Sequence, residues 1–320
     1  MEAKSLRIVF MGTPEFAVPS LRALVEGGYN VVGVVTTPDR AAGRGQKIYE
    51  CEVKREAMAL GLPILQPEKL RDEAFVEAMR ALEPDLGIVI AFRMLPEIIW
   101  SMPKLGTFNL HASQLPRYRG AAPINHAIIN GDKVTGVTTF LLNHKIDQGA
   151  IIGQIWEPIH PNDNVGTLYE RLMNIGTGLV LETVEKIAMG DVEPIVQEHL
   201  DESTLPAAPK IFKEHCKIDW SLPGERIVNL VRGLSPYPAA WTPFNHESKG
   251  ESTAKIFEVA FDPSQSAEIG EILSDEKSYI AVGCADGVVN ILSLQLAGKK
   301  RLAPKELLLG LRDIKTYKLI

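Results

Sequence analysis

Residues 6–11 read Leu-Arg-Ile-Val-Phe-Met, a short and almost continuously apolar run that is typical of a strand buried on both faces. A Gly-Thr-Pro turn follows, and the pattern then predicts a helix from about Phe16 to Glu26. Gly27 and Gly28 come where a helix usually ends. This stretch therefore predicts a strand, a tight turn and a helix at the start of an α/β fold.

The same alternation continues along the chain. The predicted elements are a Val-rich strand at 30–36, a helix near 52–60, a strand at 62–65, a helix at 72–81 and a strand at 86–91. Apolar strands that alternate with helices imply a parallel sheet covered on both faces. We predict a parallel-rich, Rossmann-like open sheet, in which ligands bind beyond the carboxyl ends of the strands.

The last third of the chain has a different pattern. Residues 190–210 are polar and interrupted by prolines, which predicts a linker. Beyond it, short apolar or alternating runs separated by turn residues predict a small β-barrel; they lie at 254–261, 268–273, 278–283 and 287–295. The predicted division is a domain at 1–190, a linker at 191–209 and a second domain at 210–320.

Composition is that of an ordinary globular protein, with 45% hydrophobic and 23% charged residues and a net charge of −6. No apolar run reaches the ~20 residues that a membrane span needs. Three distant cysteines, without metal-ligand spacing, favour a reducing cytoplasm and no metal. Residues 297–320 carry seven Lys and Arg against two acidic residues, so this tail is either a solvated face or a local phosphate-binding surface.

A dinucleotide cofactor is not expected. The first strand is followed by Gly12-Thr13-Pro14-Glu15-Phe16, which lacks the G-x-G-x-x-G fingerprint of a pyrophosphate-binding turn. A Gly-Arg-Gly sequence at 43–45 comes after the second strand, which is the wrong place for that fingerprint. The sequence therefore predicts no NAD.

The candidate chemistry lies in residues 107–120, Thr-Phe-Asn-Leu-His-Ala-Ser-Gln-Leu-Pro-Arg-Tyr-Arg-Gly. In a strand, Asn109 and His111 point to one face, and Phe108 and Leu110 point to the other face, into a core. An amide beside an imidazole can stabilise an oxyanion and move a proton, as acyl transfer requires. The pair alone is weak evidence, because a strand-end Asn and a core His are both common.

A second apolar strand, about 25 residues later, ends in a turn that carries Asp147. A carboxylate near an imidazole orients it and raises its basicity. A structural Asp at a strand end is the alternative interpretation. Together, however, the amide, the imidazole and the carboxylate form a plausible catalytic set.

These motifs resemble those of the folate-dependent formyltransferases. That family carries Asn-x-His, then Ser-Leu-Leu-Pro, Gly-Val-Thr and a later Asp-x-Gly; this chain has Gln114 where the first Leu is usual. The segments at 11–21, 39–47, 208–211 and 232–236 match the branch that acts on methionyl-tRNA. The resemblance extends over the whole chain.

The resemblance implies a formyltransferase domain at 1–190 that binds folate and an OB-like tRNA-binding domain at 210–320. It implies 10-formyltetrahydrofolate as formyl donor and the acceptor stem of initiator methionyl-tRNA as partner, in a cytoplasmic monomer. The implied catalytic residues are Asn109, His111 and Asp147. The implied folate-binding residues are Ala91, Phe92, Arg93, Ser113, Gln114, Leu115 and Pro116. The implied tRNA-binding residues are Arg40, Arg44, Lys47, Lys299, Lys300 and Arg301.

Two other functions compete with this interpretation. A formyltransferase that acts on a small amine, such as an amino sugar or a ribonucleotide amine, would use the same three residues. Such an enzyme would need only about the first 200 residues, so the additional C-terminal domain and the basic tail favour tRNA. A catalytically inactive RNA-binding protein should lack one of the three residues, and all three are present.

Overall fold

The computed structural model describes residues 2–42, 47–197, 204–248 and 250–319. The chain forms two compact units. The first unit comprises Met1–Gly120, Thr135–Glu157 and Tyr169–Ala207, and the second comprises Ala121–Val134, Pro158–Leu168 and Ala208–Ile320. Most of the segment predicted as a linker, 191–209, thus groups with the first unit, and the predicted domain limits stay a prediction.

The elements up to residue 189 follow the predicted alternation. The strands are β1 (Ile8–Gly12), β2 (Val31–Val35), β3 (Arg40–Ala42), β4 (Lys47–Tyr49), β5 (Ile64–Leu65), β6 (Leu86–Ile90), β7 (Thr107–His111), β8 (Val134–Leu141) and β9 (Ile151–Pro158). The helices are α1 (Val18–Glu26), α2 (Glu52–Ala59), α3 (Glu73–Ala81), α4 (Glu97–Trp100), α5 (Pro123–Ile129) and α6 (Val165–Met189).

Seven of these strands form one sheet, in the order β5-β2-β1-β6-β7-β8-β9. The pairs β1–β2, β1–β6 and β6–β7 are parallel, and β7–β8 is antiparallel. Every residue of β1 and β6 is buried, as the continuously apolar sequences predict. The prediction of a parallel-rich open sheet is confirmed. Its strand order reverses between β1 and β6, and such a switch point is where open sheets bind ligands.

One face of this sheet packs on α3 and α4. Val9 and Val89 of the sheet contact an apolar group that includes Phe75, Met79 and Ile99. Fully burying a side chain of this size contributes roughly 1.5–3 kcal/mol relative to exposing it. This packing fixes the central strands, and with them the backbone at their carboxyl ends.

The second unit contains a curled antiparallel sheet, a half-barrel, which confirms the barrel-like C-terminal prediction. Its order is β10-β11-β14-β13-β12, with β15 on β14. The strands are β10 (Ala240–Pro243), β11 (Thr253–Asp262), β12 (Ile272–Leu273), β13 (Ile280–Cys284), β14 (Gly287–Leu296) and β15 (Arg301–Leu302), and the helices are α7 (Gly224–Leu234) and α8 (Pro304–Leu308). Trp220 lies in its core, together with Ile314, Tyr317 and Leu319 from near the C-terminus.

The basic tail is therefore only partly a solvated extension, because Leu308, Ile314, Tyr317 and Leu319 belong to the core of the half-barrel. Within the described residues, none of the helices combines the length and the apolar character that a membrane span requires.

Candidate active site

Strand β7 presents the predicted Asn-x-His pair at the carboxyl end of the sheet. Its register sets Asn109 beside Val89 of β6, and His111 opposite Thr138 of β8. Phe108 and Leu110 are buried, as predicted for the core face. Asn109 is half-buried and His111 is 7% exposed. No residue in the described part of the chain hydrogen-bonds the Asn109 side chain, so its amide N–H is available to a ligand.

The imidazole of His111 is oriented by a backbone carbonyl. Its Nε2 lies 2.9 Å from the carbonyl oxygen of Tyr118, and a carbonyl can only accept a hydrogen bond. Nε2 therefore carries the proton, and in the neutral ring Nδ1 is left as the basic atom. Nδ1 lies 3.9 Å from Oδ2 of Asp147. That separation is too long for a direct hydrogen bond, but it places a carboxylate next to any imidazolium that forms.

Asp147 lies in a constrained loop between β8 and β9. Its φ is +54°, in the left-handed region that Asp tolerates better than most residues. Its Oδ2 accepts a 2.9 Å hydrogen bond from the backbone N–H of Gly120. Two residues later, a Cβ on Gly149 would lie 1.5 Å from the carbonyl oxygen of Leu141, so this position must be glycine. The hydrogen bond from Gly120 and the close backbone contact at Gly149 therefore both restrict where the Asp147 carboxylate can lie.

The backbone of the loop at 113–116 is fixed by hydrogen bonds to side chains of the neighbouring strands β8 and β9. Thr138 Oγ1 donates to the carbonyl of Ser113 at 2.7 Å and accepts from the N–H of Leu115 at 3.2 Å. Gln154 Nε2 donates to the carbonyl of Leu115 at 2.8 Å. Ser113 Oγ donates to the carbonyl of Arg117, and Leu115 packs in a small apolar cluster. The Ser113 hydroxyl proton is thus used within the loop and the Leu115 side chain is buried, and the folate contacts predicted for both residues stay predictions.

Gln114 and Pro116 differ from their neighbours in this loop. The Nε2 atom of Gln114 is buried and has no hydrogen-bond partner in the described part of the protein. An unpaired buried donor is costly, commonly about 1–3 kcal/mol, unless a ligand or water satisfies it. Pro116 lines a cavity of about 250 Å³, together with Arg119, Gly120, Ile146, Gln148, Leu205, Pro206 and Ala207.

The three residues predicted from the end of β6 have different environments. Ala91 is exposed, with a φ of +47°. Phe92 is half-buried against the apolar group under the sheet. Arg93 donates from Nη1 to the carbonyl of Glu68 at 2.8 Å, and burial, followed by the nearby Arg40, lowers its pKa. The guanidinium of Arg93 is therefore mainly a brace for the 67–68 backbone.

Of the tRNA contacts predicted in the first unit, the structure describes the side chain of Arg40. Arg40 is exposed on β3, which pairs with β4. Arg44 and the side chain of Lys47 lie outside the described residues. These contacts stay predictions.

In the second unit, Lys299 and Lys300 are exposed on the turn between β14 and β15. Arg301 is more constrained, because its Nε donates to Ser293 Oγ at 2.7 Å and its guanidinium lies 4.4 Å from the centre of the Phe257 ring. These contacts also stay predictions.

Sequence reasoning missed the contribution of the segment after α6. The carbonyl of Pro206 accepts the backbone N–H of Tyr118 at 2.6 Å, and Tyr118 in turn orients His111. Gln197, which is 8% exposed, donates to the carbonyl of Gly149 at 2.7 Å. Nothing in the polar, proline-interrupted sequence of this segment marks either residue, because both act across long separations in the chain.

Comparison with known proteins places this site in a family. The N-terminal formyl transferase family model matches residues 6–184, and the model of the formyl transferase C-terminal domain matches residues 210–312. The methionyl-tRNA formyltransferase of Bacteroides thetaiotaomicron is 54% identical over 100% of both chains.

Solved structures share the fold at lower identity. The N-formyltransferase from Helicobacter canadensis has a TM-score of 0.64 at 19% identity, covering 93% of this chain and 100% of its own. HypX from Aquifex aeolicus has a TM-score of 0.63 at 20% identity over 95% of this chain, which spans 47% of the length of HypX. On the strength of the two family models and the full-length relative, the chain belongs to the formyl transferase family.

Proposed function

We propose that this chain transfers the formyl group of 10-formyltetrahydrofolate to the α-amino group of methionine on initiator tRNA. The observation that carries the proposal is the full-length relative, a methionyl-tRNA formyltransferase at 54% identity. The grouping of an amide, an imidazole and a carboxylate at the carboxyl end of the sheet supplies suitable chemistry.

The proposed reaction begins when the α-amino nitrogen attacks the formyl carbon. A new C–N bond forms, and the formyl oxygen becomes an oxyanion. The Asn109 amide donates a hydrogen bond to this oxygen. Removing one such donor typically costs about 2.7–4 kcal/mol of transition-state stabilisation.

His111 then carries the proton. Its Nδ1 takes the proton from the attacking nitrogen and returns it to N10 of the folate as the bond between N10 and the formyl carbon breaks. The resulting imidazolium faces Asp147 across 3.9 Å, where the carboxylate stabilises the positive charge. General acid–base catalysis of this kind contributes about 10²–10⁴ in rate.

A reduced folate is the proposed formyl carrier. HypX, which shares this fold, was crystallised in complex with tetrahydrofolic acid. In this chain the unpaired Gln114 amide provides a donor that a polar heterocycle could satisfy. The proposed folate site comprises the loop at 113–116 and the end of β6.

Initiator tRNA is the proposed acceptor. Its acceptor stem would be bound by basic residues of both units, namely Arg40, Arg44, Lys47, Lys299, Lys300 and Arg301. A small-amine acceptor is the weaker alternative. The Helicobacter canadensis structure was solved with dTDP-3-aminofucose, but at 19% identity that likeness concerns the fold.

A formylation assay tests the proposal. Purified protein, 10-formyltetrahydrofolate and initiator tRNA charged with methionine should give formylmethionyl-tRNA, and uncharged tRNA should not react. Amino sugars and ribonucleotide amines serve as competing acceptors. A higher kcat/KM for one of those amines would replace the proposed acceptor.

A further inference from the structure

Gln197 contacts both chain segments that meet at the Asp147 carboxylate. Its Nε2 donates to the carbonyl of Gly149 at 2.7 Å and to the carbonyl of Asp147 at 3.2 Å. Its Oε1 accepts from Nη2 of Arg119 at 2.8 Å. One buried amide therefore joins the backbone of the 147–149 loop to the side chain of Arg119, the residue just before Gly120.

The second of these segments supplies the hydrogen bond that holds the catalytic carboxylate. Gly120, the residue after Arg119, donates its N–H to Asp147 Oδ2 at 2.9 Å. Gln197 thus braces the donor segment through the Arg119 side chain and the acceptor segment through its carbonyl groups. Loss of the brace would leave the left-handed Asp147 backbone and the Gly120 contact without this common tether.

Gln197 is itself held firmly. Two residues before it, Ile195 exchanges a pair of 2.8 Å backbone hydrogen bonds with Ile151 at the start of β9. The Gln197 side chain is 8% exposed. The amide is therefore attached to the sheet and can fix the loop it contacts.

We propose that Gln197 is a positioning residue that sets the place of the Asp147 carboxylate relative to His111. This inference rests on the proposed formyl transfer, because the carboxylate acts only through the imidazole. The hydrogen bonds of Gln197 go to the backbone of the loop and to Arg119, so its proposed role requires no contact with either substrate.

The experiment is a double-mutant cycle between Gln197 and Asp147. Gln197→Met keeps the length of the side chain and removes all three hydrogen bonds. In the wild-type background we expect kcat to fall about 10- to 100-fold with KM values changed by less than about twofold, since small misplacements of catalytic groups have effects of this size. In the Asp147→Asn background the same change should lower kcat by less than about threefold, because coupled residues are not additive.

A second variant distinguishes the role of the Gln197 oxygen from the role of its N–H groups. Gln197→Glu retains an oxygen for Arg119 but offers no N–H to the carbonyls of Asp147 and Gly149. We expect it to lose as much kcat as Gln197→Met. If Gln197→Met is insoluble, Gln197→Glu completes the cycle with Asp147→Asn.

Thr183→Val provides the matched control in the same unit. Thr183 is 1% exposed, and its hydroxyl bonds the carbonyl of Leu179 and the Thr139 hydroxyl. This variant should lose thermal stability without losing kcat, which separates a loss of folding from a loss of positioning.

Two results would overturn the assignment. The first is that Gln197→Met lowers kcat by the same factor in the Asp147→Asn background as in the wild type, which would show that the two residues act independently. The second is that Gln197→Glu keeps the wild-type kcat. The wild-type assay with methionyl-tRNA is read first and tests the proposed function separately. If the enzyme prefers a small amine, the same cycle is run with that amine.

Discussion

At the scale of single residues, the tautomer of His111 determines which atom can do chemistry. Because Nε2 donates to the Tyr118 carbonyl, only Nδ1 can accept a proton, which in the proposed reaction comes from the attacking amine. The same atom faces Asp147, so the carboxylate acts on the charged ring. A neutral ring with its proton on Nδ1 would leave Nε2 and a carbonyl oxygen opposed without a proton between them. The backbone thus selects the tautomer in which Nδ1 is the unprotonated nitrogen of the neutral ring.

His111→Ala should therefore lower kcat by about 10² or more, because it removes the general acid–base group. Single-turnover formylation with charged tRNA measures this change. His126→Ala is the matched control, because His126 also places Nε2 3.0 Å from a backbone carbonyl, that of Pro209. The control should keep its rate, and a near-wild-type rate in His111→Ala would remove this imidazole from the mechanism.

At the scale of elements, the loop at 113–116 depends on two side chains that no ligand needs to touch. Thr138 and Gln154 bind its backbone and come from β8 and β9. Both also bind each other at 2.9 Å. The loop is thus fixed to the antiparallel part of the sheet by two side chains.

Gln154→Met should raise KM for the folate about 5- to 50-fold, with a smaller effect on kcat, because it frees the Leu115 carbonyl without altering the base. Removing a hydrogen bond of this kind costs about 1–2 kcal/mol. Gln66→Met is the control: Gln66 braces a different loop through the carbonyl of Thr37 at 2.8 Å. An unchanged folate KM in Gln154→Met would mean that this loop is not part of the folate site.

Predictability from sequence differs between these elements for a physical reason. Strands β1 and β6 are continuously apolar and β7 alternates, so periodicity locates them and places Asn109 with His111. The segment at 191–209 has no such period, and its role depends on contacts between residues about 50 to 90 positions apart. The role of Gln197 therefore cannot be predicted from the sequence, although the sequence does predict Asp147, which Gln197 contacts.

The basic residues within 40–47 and 299–301 allow tRNA binding to be tested without changing the proposed catalytic residues. Arg44→Ala, and the double change Lys299→Ala with Lys300→Ala, should each raise KM for charged tRNA. Each lost phosphate contact should lower the slope of log K against log salt by roughly one. Lys277→Ala, an exposed lysine on another turn of the half-barrel, is the control. If both changes leave tRNA kinetics untouched at physiological salt, the tRNA proposal loses its electrostatic support.

At the scale of the whole molecule, the parallel sheet separates function from stability. The proposed catalytic residues lie at or beyond the carboxyl ends of the strands. At the opposite ends, Asp85 accepts a 2.9 Å hydrogen bond from the N–H of Arg7 and a 2.8 Å bond from Lys104 Nζ. Arg7 precedes β1 and Asp85 precedes β6, so this carboxylate joins the amino ends of two central strands. Changes there should affect folding and leave formyl transfer unaltered.

Asp85→Asn tests this separation through pH. The hydrogen bond from Lys104, followed by the one from the Arg7 backbone, holds the pKa of Asp85 below its usual value. A carboxyl whose folded pKa is lowered stabilises the protein fully above its unfolded pKa, near 3.9, and loses that contribution as pH falls through the folded pKa. The variant should therefore be less stable by about 1 kcal/mol at pH 7. Denaturant unfolding of both proteins between pH 7 and pH 3 should show this difference shrinking below about pH 4, while kcat at pH 7 stays unchanged. A stability difference that is constant across this range would mean that the charge of Asp85 does not contribute, and a loss of kcat would mean that the amino ends of the strands also support the site.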